Sequence, residues 1–249
     1  MNNCTIVVPC YNEADRLNAD AFRAYLKSPI SASIIFVNDG STDQTLALLQ
    51  QLAGEMPAKV RVLDKQPNSG KAEAVRYGML HALNTPGVAY VGFWDADLAT
   101  PLDAVADLLG VLTSLPKVEI VLGSRVRLMG RHIERQPTRH YLGRVFATFA
   151  STILGLPLYD TQCGAKLFRV TPSLIKVLGR PFLSRWIFDV EMIARFVQLR
   201  PNNGQIDELI YEFPLYYWKD IPGSKLRSRD FYRAIGELWT IKRTYFSKR

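Results

Sequence analysis

Five short runs rich in β-branched residues, spaced by helical stretches, constrain this chain more than any other feature. The runs are 5–8, 33–37, 59–63, 88–94 and 118–123. Between them, residues 46–52 and 70–84 read as helices, as does 101–112, which opens on Pro101. A polar cluster at Asn12-Glu13-Ala14-Asp15 reads as a helix start, and Asp39-Gly40-Ser41-Thr42-Asp43 supplies turn and N-cap chemistry. Strands alternating with helices at this interval predict an α/β fold: a mainly parallel sheet, helices on its faces, right-handed crossovers. The length of 249 residues, with 48% hydrophobic and 22% charged, fits one packed unit over 1–249 and excludes a disordered chain.

Several classes drop out. Cys4, Cys10 and Cys163 are odd in number and far apart, which excludes a disulfide scaffold or a four-cysteine zinc site and fits a reducing compartment. Three histidines leave little for a histidine-rich metal centre. No phosphate loop of the Gly-x-x-x-x-Gly-Lys-Ser/Thr type occurs, and no Gly-x-Gly-x-x-Gly follows the first strand. The N-terminus lacks the basic and apolar regions of a signal peptide. The best spanning candidate, residues 145–159, falls short of the roughly 20 apolar residues needed. The expectation is a cytoplasmic protein, peripheral on the membrane, without a transmembrane helix.

Charge divides the chain. Residues 1–122 carry 9 Lys/Arg against 13 Asp/Glu; residues 123–249 carry 22 against 10. The second half therefore calls for an anionic partner, although a solvated basic face has the same composition. Arg125, Arg127, Arg131, Arg135, Arg139 and Arg144 fall within one short segment whose only acid is Glu134. The block lacks the interleaved aromatics of a single-strand nucleic-acid groove. A helix follows with an apolar stripe of Leu142, Phe146, Phe149 and Ile153, suited to an anionic membrane surface, a lipid phosphate or core packing. The C-terminal stretch adds Arg227, Arg229, Arg233, Lys242 and Arg243 beside Tyr232, Trp239, Tyr245 and Phe246, which fits a bilayer or a docked terminal helix.

In an open parallel sheet, ligands bind beyond the carboxyl ends of the strands. Those positions here read Pro9-Cys10-Tyr11-Asn12-Glu13, Asn38-Asp39-Gly40, Asp95-Ala96-Asp97 and Gly123-Ser124-Arg125. Each alone also serves as turn chemistry; together they mark one rim. Asp95 and Asp97 can share a hard cation, which takes oxygen ligands and bridges phosphates. Lys71 follows Asn68-Ser69-Gly70 at a helix start, a place that favours anions.

The ordered series Val-Pro-Cys-Tyr-Asn-Glu (8–13), Val-Asn-Asp-Gly-Ser-Thr-Asp (37–43), Asn-Ser-Gly-Lys (68–71), Asp-Ala-Asp (95–97) and Gly-Ser-Arg (123–125) resembles family 2 inverting glycosyltransferases of the GT-A fold. The segments 160–168, 186–191 and 223–226 are similar to dolichyl-phosphate β-glucosyltransferases, and less so to the related mannose synthases. The resemblance implies a nucleotide-sugar-binding half over 1–122 and an acceptor-binding, membrane-facing half over 123–249. It implies that Pro9, Tyr11, Glu13, Asp39 and Lys71 bind the nucleotide sugar. Asp95 and Asp97 would manage its diphosphate through Mg²⁺ or Mn²⁺, and Lys225 would close on it. Arg125, with Arg139 or Arg144, would meet the phosphate of a polyprenyl acceptor. Asp189 stands where relatives with hydroxyl acceptors carry a base, and here reads as an orienter. UDP-glucose is the favoured donor; GDP-mannose, or a hydroxyl acceptor, stays as an alternative. Ala99 replaces a glutamine ligand common in mannose synthases, and the chain begins at its first strand where related enzymes often carry an anchor. No nucleic-acid partner is implied.

Overall fold

In the computed structural model the described residues are 3–28, 31–200, 206–221 and 228–247, the side chains of 138, 139 and 228–232 excepted. The expected strands appear as β1 (Cys4–Cys10), β2 (Ser33–Asp39), β3 (Val60–Lys65), β4 (Tyr90–Trp94) and β5 (Ile120–Ser124). With β7 (Ala165–Arg169) and β8 (Ile210–Pro214) they form a seven-stranded sheet of order β3-β2-β1-β4-β7-β5-β8. All its pairings are parallel except those of β7, which runs antiparallel between β4 and β5. A separate ribbon joins β6 (His132–Glu134) to β9 (Tyr217–Lys219).

The runs are apolar on both faces because both faces are covered. Ile6, Val8, Ile34 and Phe36 pack toward α1 (Ala19–Lys27), α2 (Thr45–Glu55) and α4 (Ala104–Ser114). Val7, Ile35, Val37 and Phe93 pack toward α3 (Lys71–Leu83), α5 (Pro137–Leu154), α6 (Pro172–Leu178), α7 (Phe188–Gln198) and α9 (Ser228–Tyr245). Gly78 lets α3 lie directly on β1 and β2, since a Cβ there would overlap Val7 and Val37.

Three local expectations are corrected. Residues 12–15 form a loop, and α1 starts at Ala19 with the Asn18 side chain capping Ala21 at 3.0 Å. Asn12 has a left-handed φ of 51°, which a first helical turn excludes. The α4 helix begins three residues beyond Pro101. The α5 stripe is split: Phe146, Ala147, Ala150 and Leu154 are buried, whereas Leu142 and Phe149 face outward. At the C-terminus, Tyr245 and Phe246 pack against the core, while Trp239 is exposed. Among the described residues no helix is long and apolar enough to cross a membrane.

Candidate active site

The loops after β1 and β2 are joined by short polar bonds. Asn12 donates its N–H to Ser41 Oγ (3.0 Å) and accepts the Thr42 N–H (2.8 Å). Glu13 N–H reaches Thr45 Oγ1 (2.8 Å), and Ala14 N–H reaches Asp43 Oδ2 (3.1 Å). Burial works against the Asp43 charge, yet bonds from Thr45 and Ala14 outweigh it and hold the carboxyl below its ordinary value. This arrangement sets Pro9, Tyr11 and Glu13 along the rim, Tyr11 exposed. Arg16 links the loop to the turn after β4, 3.7 Å from Glu13 Oε2 and 4.0 Å from Asp97 Oδ2.

Asp39 lies beneath that rim. It is buried, and its carboxylate accepts from Ser69 N (3.0 Å), Ser69 Oγ (2.8 Å) and Gly70 N (2.7 Å). Its backbone oxygen accepts from Asn68 Nδ2 (2.7 Å). In this state Asp39 fixes the start of α3, and so the base of Lys71.

Asp95 and Asp97 sit on a turn anchored by Trp94, whose indole donates to Thr100 O (2.8 Å). Asp97 Oδ1 accepts the Ala99 N–H (3.1 Å). Lys71 pairs with Asp95 Oδ1. Gly164 makes room for this carboxylate, because a Cβ at that position would overlap it and force Asp95 to shift. Burial, with Asp95 beside it, raises the Asp97 carboxyl above its ordinary value although Lys71 and Arg16 oppose this. Two carboxylates that repel one another, partly open to solvent, suit a hard divalent cation. No group of three His, Cys, Asp or Glu suited to a metal exists among the described residues. The protein thus offers two carboxylates, and water or phosphate oxygens would supply the rest of the shell.

Asp189 opens α7 and is buried against Lys166 of β7, with Nζ 2.8 Å from Oδ1. Lys166 also donates to Cys163 O (2.5 Å) and lies 5.3 Å from the Phe93 ring centre. Burial pushes the Asp189 carboxyl up, opposed by Lys166 and then Lys71. Lys71 is thus shared electrostatically among Asp95, Asp189 and Asp97; burial opposes its charge, and these acids raise its pKa nonetheless. Sequence reasoning passed over Lys166. Its signal is a lysine between two buried strand residues, Ala165 and Leu167.

The arginines behave unequally. Arg125 gives Nε and Nη2 to Asp160 at 2.6 and 2.8 Å, its backbone N–H to the same carboxylate at 3.1 Å, and its face to Trp218. Burial works against both charges, but the pairing outweighs it: Asp160 is held far below and Arg125 far above the ordinary value. Arg144 donates to Tyr159 O (2.7 Å) and stacks 3.5 Å from that ring's centre. Arg135 was not singled out as a site residue from sequence, yet it lines one small cavity with Arg125, Arg144, Tyr159 and Asp160. Its guanidinium has no acceptor among the described residues, and burial, then Arg125, pulls its pKa down to about 10. The Arg139 side chain and Lys225 lie outside the described residues.

Residues 5–173 match the profile described as Glycosyl transferase family 2. The chain belongs to that family. It is 34% identical to a dolichyl-phosphate beta-glucosyltransferase of Trichomonas vaginalis, over 96% of this chain and 73% of that one. It is 32% identical to the Drosophila melanogaster dolichyl-phosphate beta-glucosyltransferase, over 89% and 68%. Glucosyl-3-phosphoglycerate synthase of Mycobacterium tuberculosis, solved with Mn²⁺, UDP-glucose and phosphoglyceric acid, superposes with a TM-score of 0.65 at 16% identity, over 97% of this chain and 80% of that one. This last likeness places the fold of the family 2 glycosyltransferase in the GT-A class.

Proposed function

We propose that this glycosyltransferase moves glucose from UDP-glucose to a polyprenyl phosphate, with inversion, on the cytoplasmic face of a membrane. The observation that carries the reading is the carboxylate pair Asp95 and Asp97 beyond the carboxyl end of β4, together with Arg135, partly buried in a small arginine-lined cavity and without an acceptor among the described residues. A diphosphate held through a cation suits the first, and an anionic acceptor suits the second. The dolichyl-phosphate glucosyltransferases among its relatives support the acceptor and the sugar. Three unpaired cysteines support a reducing compartment. Within the single domain 1–249, we assign 1–122 to the donor and 123–249 to the acceptor.

In this reading an acceptor phosphate oxygen bonds to the anomeric carbon as the bond to the diphosphate breaks on the opposite face. The attacking oxygen is already anionic at neutral pH, so no strong base is required. Asp189, buried against Lys166, then orients rather than accepts a proton. Arg135, backed by the fixed Arg125, relieves repulsion between the two anions. Pro9, Tyr11 and Glu13 border the nucleotide, and Lys71 faces the diphosphate from the start of α3. A Mg²⁺ or Mn²⁺ held by Asp95 and Asp97 would neutralise charge on the departing diphosphate.

A panel of nucleotide sugars with a short polyprenyl phosphate tests the proposal. UDP release from UDP-glucose, dependent on the lipid phosphate, is expected. Release of GDP from GDP-mannose as the faster reaction would overturn the donor assignment.

A further inference from the structure

The α5 helix presents an outward face that the transfer chemistry does not use. Tyr141 (70% exposed), Leu142, Val145 and Phe149 (54%) all face solvent there. The other exposed side chains described beyond Pro137 on this helix are Thr148 and Thr152, so among the described residues this face carries no charge. Ordinary packing buries such a stripe, as α5 does on its other side through Phe146, Ala150 and Leu154. Just before the helix, Gln136 lines an open cleft of about 650 Å³ on the β6–β9 ribbon, with Arg127, Arg131, Arg135 and Lys219 facing Glu134 and Asp220. The two acids are engaged: Glu134 pairs with Lys219 (3.0 Å), and Asp220 accepts the Gln136 N–H (3.1 Å). Asp220 acts on Arg135 and Asp107 on Arg131 through space, yet Arg127 and Arg131 form no ion pair among the described residues. Arg131 stacks 3.5 Å from the Tyr216 ring centre and keeps a buried Nη1 without a hydrogen-bond partner among the described residues. Leu128 and the fully exposed Met129 stand between Arg127 and Arg131.

We propose that the outward face of α5 and the adjoining β6–β9 cleft form one docking surface for an anionic bilayer. Tyr141, Leu142, Val145 and Phe149 enter the acyl boundary, with Leu128 and Met129 beside them. Arg127 and Arg131 take the phosphate oxygens of lipid headgroups. Apolar side chains next to guanidinium groups that form no ion pair among the described residues match the two layers such a surface presents. A second copy of the chain fits less well, because a two-fold contact would bring two copies of the same basic patch together. The inference rests on the reading that the acceptor is a lipid phosphate, and it adds which surface meets the membrane.

Vesicle flotation tests it, with phosphatidylcholine alone and with about a third phosphatidylglycerol. The wild-type chain should bind the anionic vesicles and weaken with salt. Tyr141→Ser with Phe149→Ser, and separately Arg127→Gln with Arg131→Gln, should each lower the bound fraction on the order of tenfold. The first pair should leave UDP affinity, thermal unfolding and transfer to a short, water-soluble polyprenyl phosphate unchanged. Flotation of both variants like wild type would overturn the proposal. So would a wild-type dimer that the α5 variant dissociates while vesicle binding persists, or binding of inorganic phosphate in the cleft with no preference for anionic vesicles. If wild type floats yet ignores the short acceptor, the acceptor reading fails and the docking surface stands.

Discussion

Asp39 and Arg135 are both ionic groups drawn into the protein near the carboxyl edge of the sheet, and they are treated in opposite ways. Asp39 receives three hydrogen bonds from Ser69 and Gly70 and serves the backbone. Arg135 has no acceptor among the described residues. The same contrast recurs within the arginine block, where Arg125 is held in a two-pronged pair with Asp160 and Arg127 gives one N–H to a backbone carbonyl. A charge whose partners are all internal holds the fold. A charge kept without partners costs free energy, and its retention points to a ligand.

Mutating the two arginines separates these roles most sharply. Arg125→Ala should destabilise the protein by about 3 kcal/mol or more, because it leaves the buried Asp160 carboxylate unpaired. Arg135→Ala should stay within about 1 kcal/mol of wild type or gain stability. Denaturant unfolding measures both, and equal losses would erase the distinction.

On the acidic rim, Asp97→Asn should lower turnover by about a hundredfold with the fold intact. Thermal stability near neutral pH should not fall. The Asp97 carboxyl is raised by burial and Asp95, so stability falls as the pH rises from the ordinary aspartate value through the raised folded-state value; at neutral pH the full penalty is present, and the asparagine removes it. Near-normal turnover, or a marked loss of stability, would make the aspartate structural.

Arg135→Ala should weaken the short polyprenyl phosphate by about tenfold in KM while UDP affinity holds, with Arg135→Lys recovering part of the loss. A parallel loss of UDP affinity would move this side chain to the donor.

The smallest effect concerns pH. With Asp97 raised, Mn²⁺ affinity followed by paramagnetic resonance should begin to drop on acidification above the ordinary aspartate range, and Asp97→Asn should flatten that dependence. A midpoint at or below the ordinary value would contradict the crowding of the two carboxylates.

The five runs located the sheet because parallel strands covered on both faces are apolar throughout, and the ends of those runs gave the rim. β7 escaped, since its antiparallel insertion between β4 and β5 depends on pairing across distant segments. The start of α1 was misplaced because Asn12 and Asp43 form cross-loop bonds that resemble cap chemistry in sequence. The arginine block was legible as charge, but its sorting was not. Asp160 lies 35 residues from Arg125, and nothing local marks it as the partner. Lys166 stayed silent for the same reason: its counter-ion Asp189 is on another element.

The central claim is that the acceptor is an anion met by arginine, and matched acceptors test it most directly. A short polyprenyl phosphate and the corresponding polyprenol would each be incubated with UDP-glucose and the wild-type chain, with UDP release and the glucosylated product measured together. Stoichiometric UDP and glucosyl phosphate product with the phosphate, and background with the alcohol, is the predicted result. Comparable transfer to the alcohol would contradict it and return Asp189 to the role of a base.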